Sequence, residues 1–214
     1  MPCWDTEAEL AGCRRELIAG VDEAGRGPWA GPVVAAAVIF RARRRLGGLN
    51  DSKKLKPEQR EALFDRIRDR AYVGIGIVAV EEIDRINILQ ATMMAMRSAV
   101  EQLEGASLTV LVDGNRCPEL RHNAVPVVNG DALCPSIAAA SIIAKVTRDR
   151  LMTELGEDHP EYGWCNNKGY GTPAHSLAIA RFGVTPHHRR SFAPIRAALE
   201  GKTIVTDFVS QVVD

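Results

Sequence analysis

The sequence predicts an α/β fold in which a mixed sheet of five strands is flanked by helices and followed by a helical C-terminal part. Two observations support this prediction. Short apolar runs rich in β-branched residues are bounded by glycine and proline, and they are interspersed with longer segments of helical spacing. The 214 residues suffice for one domain with a buried core. We therefore expect a single domain over residues 1–214, with a core at about 16–155, a helical part at about 156–200 and a tail at 201–214.

The N-terminal half of the predicted sheet comes from two apolar runs joined by a turn. Residues 18–21 and 33–40 are typical of strands, and the stretch GRGPWAGP between them favours a hairpin. After a basic loop, Pro57 is expected to begin a helix that continues to about residue 70. Residues 72–80 then form the third predicted strand.

The C-terminal half of the sheet is predicted from shorter signals. Residues 88–103 have helical spacing, 108–112 form a fourth strand that ends at Asp113, and 125–128 are a candidate fifth strand. Residues 136–155 predict an amphipathic helix whose alanines allow close approach to the sheet. The opposite face of that helix is expected to carry Ser141, Lys145, Arg148 and Asp149.

Composition excludes several classes of protein. With 46% hydrophobic and 25% charged residues, the chain is neither disordered nor fibrous. Its longest apolar run, 33–40, is too short to cross a membrane, and the first residues lack the features of a secretory signal. The five cysteines form no C-x-x-C pair, which argues against a disulfide framework or a zinc knuckle. We expect a cytoplasmic monomer without membrane association.

The net charge of zero conceals a segregation of charge along the chain. No acid occurs between Glu23 and Asp51 or between Glu161 and Glu200, and each interval contains five lysine or arginine residues. These two basic tracts could present a positive surface to the phosphates of a nucleic acid. The alternative is that each tract is only a solvated face of the protein.

The most informative residues are acids at predicted strand ends. Asp22 and Glu23 end the first strand, and Asp113 ends the fourth. If these strands are neighbours, the carboxylates converge and repel one another unless a cation neutralises them. An oxygen-only ligand set favours Mg²⁺ or Mn²⁺. Asp131, in the turn before the long helix, is a candidate fourth acid, although each acid alone could instead cap a turn.

Such a carboxylate cluster suits phosphodiester hydrolysis by two metal ions. One ion generates the attacking hydroxide and the other stabilises the leaving oxygen. The cluster therefore favours a phosphoryl-transfer enzyme.

A dinucleotide-binding loop is an alternative interpretation of the same stretch. GRGPWA matches the pattern G-x-G-x-x-A after a strand, with Arg43 to Arg45 about 20 residues further on. However, Pro28, Gly31 and Pro32 disfavour a helix after the glycines, and the adjacent carboxylates would repel a pyrophosphate. A nucleotide-dependent reductase is therefore the weakest of the functional hypotheses.

The adjacent histidines His187 and His188 are a second feature open to two interpretations. Neighbouring side chains point apart in a strand and about 100° apart on a helix, so we do not expect the pair to share a metal ion. A general-acid role for either histidine is the less favoured alternative.

Six sequence blocks follow one another over about residues 16–196: VDEAGRGP (21–28), DSKKL (51–55), VDGN (112–115), AAASIIAKVTRD (138–149), NKGYGTPAH (167–175) and HHRRSF (187–192). Together these blocks resemble the bacterial ribonuclease HII family. The resemblance implies a ribonuclease H-like fold, a Mn²⁺- or Mg²⁺-dependent endonuclease, and a role in ribonucleotide excision repair and DNA replication. The implied substrates are RNA/DNA hybrids and duplex DNA with embedded ribonucleotides. Cleavage would occur on the 5′ side of the ribonucleotide and leave a 3′-hydroxyl and a 5′-phosphate.

The resemblance also implies roles for individual residues. Asp22, Glu23 and Asp113 match the metal-binding acids, and Asp131 matches the fourth catalytic acid. The loop Gly25, Arg26 and Gly27 matches the backbone that reads the ribose 2′-hydroxyl, the group that distinguishes RNA from DNA. Tyr170 matches the tyrosine that stacks on the sugar after the ribonucleotide. Contacts to the nucleic-acid backbone are implied for Ser52, Lys53, Lys145, Lys168, Arg189 and Arg190.

The chain departs from the family pattern in a few places. Trp29 and Ala132 replace a smaller or aliphatic residue and a serine, respectively, and the tail after about Arg196 has no match. Whether the tail binds a sliding-clamp partner is left open by the sequence. The competing class of function is a binding module that holds hybrids without cleaving them, but four acids facing phosphates would only weaken such binding.

Overall fold

The computed structural model describes residues 2–12, 17–44, 46–49, 52, 55–103 and 108–202. Its centre is a mixed sheet of five strands with the spatial order β3, β2, β1, β4 and β5, which confirms the predicted fold class. The strands are β1 (Leu17–Ala24), β2 (Val33–Phe40), β3 (Ala71–Val78), β4 (Leu108–Asp113) and β5 (Asn123–Val127).

Strand pairing determines where the predicted acids lie. β1 is antiparallel to β2, as the hairpin prediction required, and parallel to β4, which is in turn parallel to β5. In the β1/β4 register, Val21 lies opposite Val112. The next residues along the two strands, Asp22 and Asp113, are therefore brought to the same edge of the sheet.

Helices make up most of the C-terminal part of the chain. Within the described ranges, no helix is both long and apolar enough to span a bilayer. Helix α1 was not predicted, because its seven residues have no apolar period long enough to detect. The helices are α1 (Trp4–Leu10), α2 (Pro57–Arg68), α3 (Val80–Glu101), α4 (Gly130–Leu133), α5 (Pro135–Asp158), α6 (Trp164–Asn167), α7 (Pro173–Phe182) and α8 (Ala193–Leu199).

Helix α3 consists of two helical segments that meet at Asn87. This residue is left-handed, with a φ of 69°, and its side-chain oxygen accepts hydrogen bonds from the amides of Leu89 and Gln90 at 3.0 and 3.1 Å. Asn87 thus caps the second segment. The predicted helix at 88–103 corresponds to that segment, and the first segment was missed.

The chain separates into two compact units. The first contains Met1–Ala24, Val34–Ile77 and Thr92–Thr147, and the second contains Gly25–Val33, Val78–Ala91 and Arg148–Asp214. The expectation that the chain is one domain, with a boundary near residue 156 between core and helical part, stays a prediction.

In the first unit, the N-terminal part of α5 is buried. Ile142 and Ile143 belong to the same apolar cluster as Phe64 and Ile67 of α2. At the other side of the helix, a methyl group on Gly20 of β1 would collide with the backbone of residues 136 and 137. Of the four residues predicted on the face opposite the alanines, Ser141 and Arg148 are buried at 4% and 1% exposure, whereas Lys145 and Asp149 are half-buried.

The N-terminus of α5 is capped from α1. The buried carboxylate of Glu7 accepts hydrogen bonds from the amide and the hydroxyl of Ser136 at 2.8 and 2.7 Å. Burial raises the pKa of Glu7, and the two bonds from Ser136 oppose that shift. A residue distant in sequence thus satisfies a helix amide that would otherwise lack a partner.

The core of the second unit contains two buried histidines. Nδ1 of His175 lies 2.9 Å from the Tyr170 carbonyl and must donate to it, so its Nε2 accepts from Trp164 Nε1 at 3.1 Å. Nδ1 of His188 accepts from the Thr185 amide at 3.0 Å, so Nε2 of His188 donates to Nε2 of His175 at 3.1 Å. Both rings are therefore neutral, each with a fixed tautomer.

The histidine pair makes stability depend on pH. Burial lowers the pKa of His188 to about 3, against an ordinary value of 6.5. Between these values the unfolded chain binds a proton that the folded chain does not bind. This contribution to stability is complete above pH 6.5 and is lost as the pH falls toward 3.

We predict that His188→Gln reduces the pH dependence of the unfolding free energy. Between pH 6 and 5, its slope should be smaller than that of the wild type by about 1 kcal/mol per pH unit, because one proton-binding difference is removed. Urea unfolding followed by circular dichroism at several pH values measures both slopes. His122→Gln, outside this cluster, is the matched control, and an unchanged slope in His188→Gln would contradict the prediction.

Candidate active site

Asp22 is a buried acid with two other acids, Glu23 and Asp113, close to it. Its side chain is 6% exposed, and its Oδ1 accepts a hydrogen bond from the amide of Glu23 at 2.7 Å. Burial raises the pKa of Asp22 well above its usual range, and the charges of Glu23 and Asp113 raise it further. The structure thus brings Glu23 and Asp113 within electrostatic reach of Asp22.

Asp113 links this cluster to the fourth predicted acid. Its Oδ1 accepts a hydrogen bond from the amide of Gly130 at 2.7 Å. Gly130 begins α4 after the left-handed Asn129, and the buried Asp131 follows directly. The chain therefore carries Asp131 next to the residue that binds Asp113.

The donor atoms of these acids suit a hard divalent cation. They are all carboxylate oxygens, and their mutual repulsion is the kind that a cation relieves. Among the described residues, however, no three His, Cys, Asp or Glu side chains are already arranged to ligate one ion. Asp22, Glu23 and Asp113 fit such an ion by chemistry, and their side chains would have to turn toward it to bind it together.

Two serines support Asp22 from inside the first unit. The Ser141 hydroxyl forms a hydrogen bond with Asp22 that opposes the rise in its pKa. Ser141 Oγ also lies 2.8 Å from Ser52 Oγ, so Ser52 donates to Ser141 while Ser141 donates to Asp22. Ser52 is 4% exposed. The structure does not support the predicted phosphate contact by its hydroxyl, because that group is buried and bonded within the protein.

Two lysines of the first unit were also predicted to contact the nucleic-acid backbone. Lys145 is half-buried on α5. Lys53 lies outside the described residues. Their predicted roles stay predictions.

In the second unit, residues 25–32 form a loop that we call the glycine loop. Gly25 has a φ of 96°, and a methyl group there would collide with Arg148, so only glycine fits. The ring of Tyr170, which is 47% exposed, lies 3.6 Å from the position that a Cβ on Gly27 would occupy. A larger residue at position 27 would crowd this aromatic surface.

The glycine loop is supported by two buried arginines, Arg148 and Arg189. Arg148 donates to the carbonyls of Pro32, Ala30 and Lys168 at 3.0 to 3.1 Å. Burial lowers the pKa of Arg148 to about 10 and that of Arg189 to about 9, so both are charged at neutral pH. The predicted phosphate contact by Arg189 is not supported, because its guanidinium is fully buried and donates to the protein backbone.

The other two basic candidates of the second unit differ in their surroundings. The Lys168 ammonium donates to the Thr153 hydroxyl on α5 and to the Cys165 carbonyl at 2.6 and 2.7 Å. It therefore bonds within the protein and links its own turn to α5. Arg190 is exposed, while its amide is held by Asp84 at 2.9 Å. Of the two, Arg190 is the better placed to meet a phosphate.

Three residues of this region were missed or misjudged from the sequence: Ser141, Arg148 and Arg189. Ser141 stands among alanines and isoleucines in AAASIIA, and a lone polar residue in such a run indicates a buried hydrogen bond. The two arginines have no comparable signal, because a basic residue near other basic residues is ordinarily exposed.

Curated relatives and a family model match most of the chain. The family model described as Ribonuclease HII matches residues 19–195. The ribonuclease HII of Rhizorhabdus wittichii is 60% identical over 178 residues, which are 83% of this chain and 88% of that protein. The ribonuclease HII of a Wolbachia from Drosophila simulans is 54% identical over 199 residues, 92% of this chain and 98% of that protein.

Solved structures share the fold. Ribonuclease H2 from Pyrococcus horikoshii is 29% identical with a TM-score of 0.70, over 86% of this chain and 97% of that one. The ribonuclease HII in a PCNA complex from Archaeoglobus fulgidus is 28% identical with a TM-score of 0.69, over 81% and 93%. Bst-RNase HIII in complex with Mn²⁺ is 19% identical with a TM-score of 0.67, over 91% of this chain and 73% of that one. This similarity shows the fold alone. The chain therefore belongs to the ribonuclease HII family, a family of ribonuclease H endonucleases.

Proposed function

We propose that this endonuclease cleaves RNA in RNA/DNA hybrids and single ribonucleotides in duplex DNA, on the 5′ side of the ribonucleotide. The observation that carries the proposal is the acid cluster at the ends of β1 and β4, in which the buried Asp22 lies beside the half-buried Glu23 and Asp113. Four acids beside a nucleic-acid phosphate weaken plain binding, so they favour a catalyst over a binding module.

The proposed reaction is hydrolysis of one phosphodiester. Water adds to the phosphorus and the bond from phosphorus to the 3′-oxygen breaks. That oxygen leaves with a proton as the 3′-hydroxyl, and the ribonucleotide keeps the 5′-phosphate. When bound, two divalent ions supply the Lewis acidity that activates the water and stabilises the leaving oxygen.

The chain's own residues hold and orient the reactants. Asp22, Glu23 and Asp113 would hold the ions, and Asp131 would contribute a fourth carboxylate. In the second unit, the backbone of Gly25 to Gly27 would read the 2′-hydroxyl, for which close approach of the main chain is needed. The exposed ring of Tyr170 would pack on the sugar that follows the ribonucleotide.

The ion is proposed to be Mn²⁺ or Mg²⁺. Oxygen-only ligands favour these hard cations, and the RNase HIII relative was solved in complex with Mn²⁺. The supporting feature in this chain is the all-carboxylate donor set.

Several wider expectations remain proposals. The PCNA complex of the archaeal ribonuclease HII supports a clamp partner for this chain. The sequence leaves open whether the tail after about Arg196 binds it, and residues 203–214 of that tail lie outside the described part. A monomeric state, a cytoplasmic location and roles in ribonucleotide excision repair and DNA replication stay predictions.

We predict cleavage of a duplex DNA with one embedded ribonucleotide only when Mn²⁺ or Mg²⁺ is present. The products, separated on a denaturing gel, should be a 3′-hydroxyl fragment and a 5′-phosphate fragment that begins with the ribonucleotide. An all-DNA duplex of the same sequence is the control. Tight binding without cleavage under either ion would favour the binding module instead.

We predict that Asp113→Asn lowers kcat at least about 1,000-fold, equivalent to about 4 kcal/mol of transition-state stabilisation. Asparagine keeps the oxygen that accepts from the Gly130 amide but removes the charge that an ion needs. Single-turnover kinetics and hybrid binding should be measured together, and binding should persist. Asp65→Asn, on the exposed face of α2, is the charge-matched control. Activity within 10-fold of the wild type would refute the metal cluster.

We predict that Ser141→Ala weakens the apparent affinity for Mn²⁺ by about 10- to 100-fold, because Asp22 loses a hydrogen-bond donor that orients it. Ser52→Ala should have a smaller effect in the same direction, since it acts through Ser141. Mn²⁺ titrations of activity and of bound ion by electron paramagnetic resonance measure the affinity. Ser98→Ala is the control, and equal affinities in all four proteins would contradict the prediction.

A further inference from the structure

Arg189 contacts both ends of the glycine loop at once. Its Nε donates to the Gly31 carbonyl at 2.9 Å, and its Nη1 donates to the Arg26 carbonyl at 3.0 Å. Its Nη2 donates to the carbonyls of Gly25 and Pro32 at 2.6 and 3.1 Å. One rigid, planar group thus ties four main-chain carbonyls together, which a lysine ammonium with three donors could not reproduce.

Arg189 is itself held in place. Its amide donates to the Trp29 carbonyl at 2.8 Å, and its guanidinium carbon lies 5.1 Å from the ring centroid of Phe192. The carboxylate of Asp84 accepts from the amides of Arg190 and Ser191, both at 2.9 Å. The backbone amides of Arg189 and of the two residues that follow it are therefore held by hydrogen bonds.

Burying the positive charge of Arg189 removes it from water, which costs free energy. Four main-chain carbonyls accept hydrogen bonds from the Arg189 guanidinium, and the negative charge of Asp84 also favours its charged form. Even with these partners, a buried charge costs stability compared with an apolar side chain of similar size. The guanidinium fixes the geometry of the glycine loop, and this effect gives the buried charge a function.

That geometry sets the direction of two backbone amides. In a trans peptide the carbonyl and the amide of one peptide group point in opposite directions. Because the carbonyls of Gly25 and Arg26 point at the guanidinium, the amides of Arg26 and Gly27 point away from it. Arg26 and Gly27 are the exposed residues of the loop, so these amides face the side from which a ligand approaches.

We propose that Arg189 is a positioning residue for ribonucleotide recognition: it orients the peptide groups of Gly25 to Gly27 so that their amides meet the 2′-hydroxyl oxygen. This inference rests on the proposed function, and it assigns the selectivity for ribose to a buried side chain that never touches the nucleic acid. The loop is then already shaped in the free enzyme, and no ordering cost is incurred on binding.

The test compares binding of two duplexes, one with a single ribonucleotide and one of DNA alone. In the inactive Asp113→Asn background, Arg189→Lys should lower the preference for the ribonucleotide duplex at least about 10-fold, as expected for misplaced hydrogen-bond donors, while affinity for the DNA duplex changes little. A merely structural role would weaken both affinities alike. Arg181→Lys, an exposed arginine on α7, is the matched control and should leave the preference unchanged.

Hydrogen exchange supplies the second readout. Amides of the glycine loop should exchange faster in Arg189→Lys than in Arg181→Lys, with α7 unaffected. If Arg189→Lys does not fold, Asp84→Ala decides, since it loosens the backbone beside Arg189 without changing the guanidinium, and it should lower the preference about 3-fold. An unchanged preference in a folded variant would overturn the inference.

The two proposals fail in different ways. If the wild-type enzyme cleaves no ribonucleotide duplex, the proposed function is wrong, whatever the loop does. If the wild type cleaves selectively but the Arg189 and Asp84 variants keep its selectivity, only the role of Arg189 is wrong.

Discussion

The parallel pairing of β1 with β4 is the constraint on which the acid cluster depends. Its register carries Asp22 and Asp113 to one sheet edge, where burial of Asp22 and the nearby charges of Glu23 and Asp113 make the ionised Asp22 carboxylate costly. Nearby donors offset part of this cost: the Glu23 amide and the Ser141 hydroxyl serve Asp22, and the Gly130 amide serves Asp113. The remaining repulsion is what makes the site receptive to a divalent cation.

Much of the fold follows from sequence patterns because its strands are short, apolar and clearly bounded. The run 33–40 was predicted with its observed ends, and Asp22 and Asp113 could be placed together because each ends a strand. Patterns failed where a residue's environment is set by distant contacts. Ser52 and Arg189 were interpreted as surface residues, yet their partners lie 89 and up to 164 positions away in the sequence. Only folding reveals such pairs.

The interior of the second unit contains buried polar side chains of two kinds, arginines and histidines. Arg148 and Arg189 are buried as cations bonded to carbonyls, whereas His175 and His188 are buried as neutral rings with complementary tautomers. Polar networks of this kind specify one arrangement, because a shifted neighbour leaves a buried donor or acceptor without a partner. The loop and the turn that they hold are thus better defined than apolar packing alone would make them.

The three tryptophans give the chain intrinsic optical probes. Trp4 lies 5.3 Å from the Phe40 ring in the first unit, whereas Trp29 and Trp164 pack at 5.8 and 6.1 Å from His175 in the second. Indole emission differs between buried and solvated rings, so a variant that keeps Trp4 alone reports on one unit and a variant that keeps Trp164 alone reports on the other. Whether the two units melt together can therefore be read from fluorescence without any attached label.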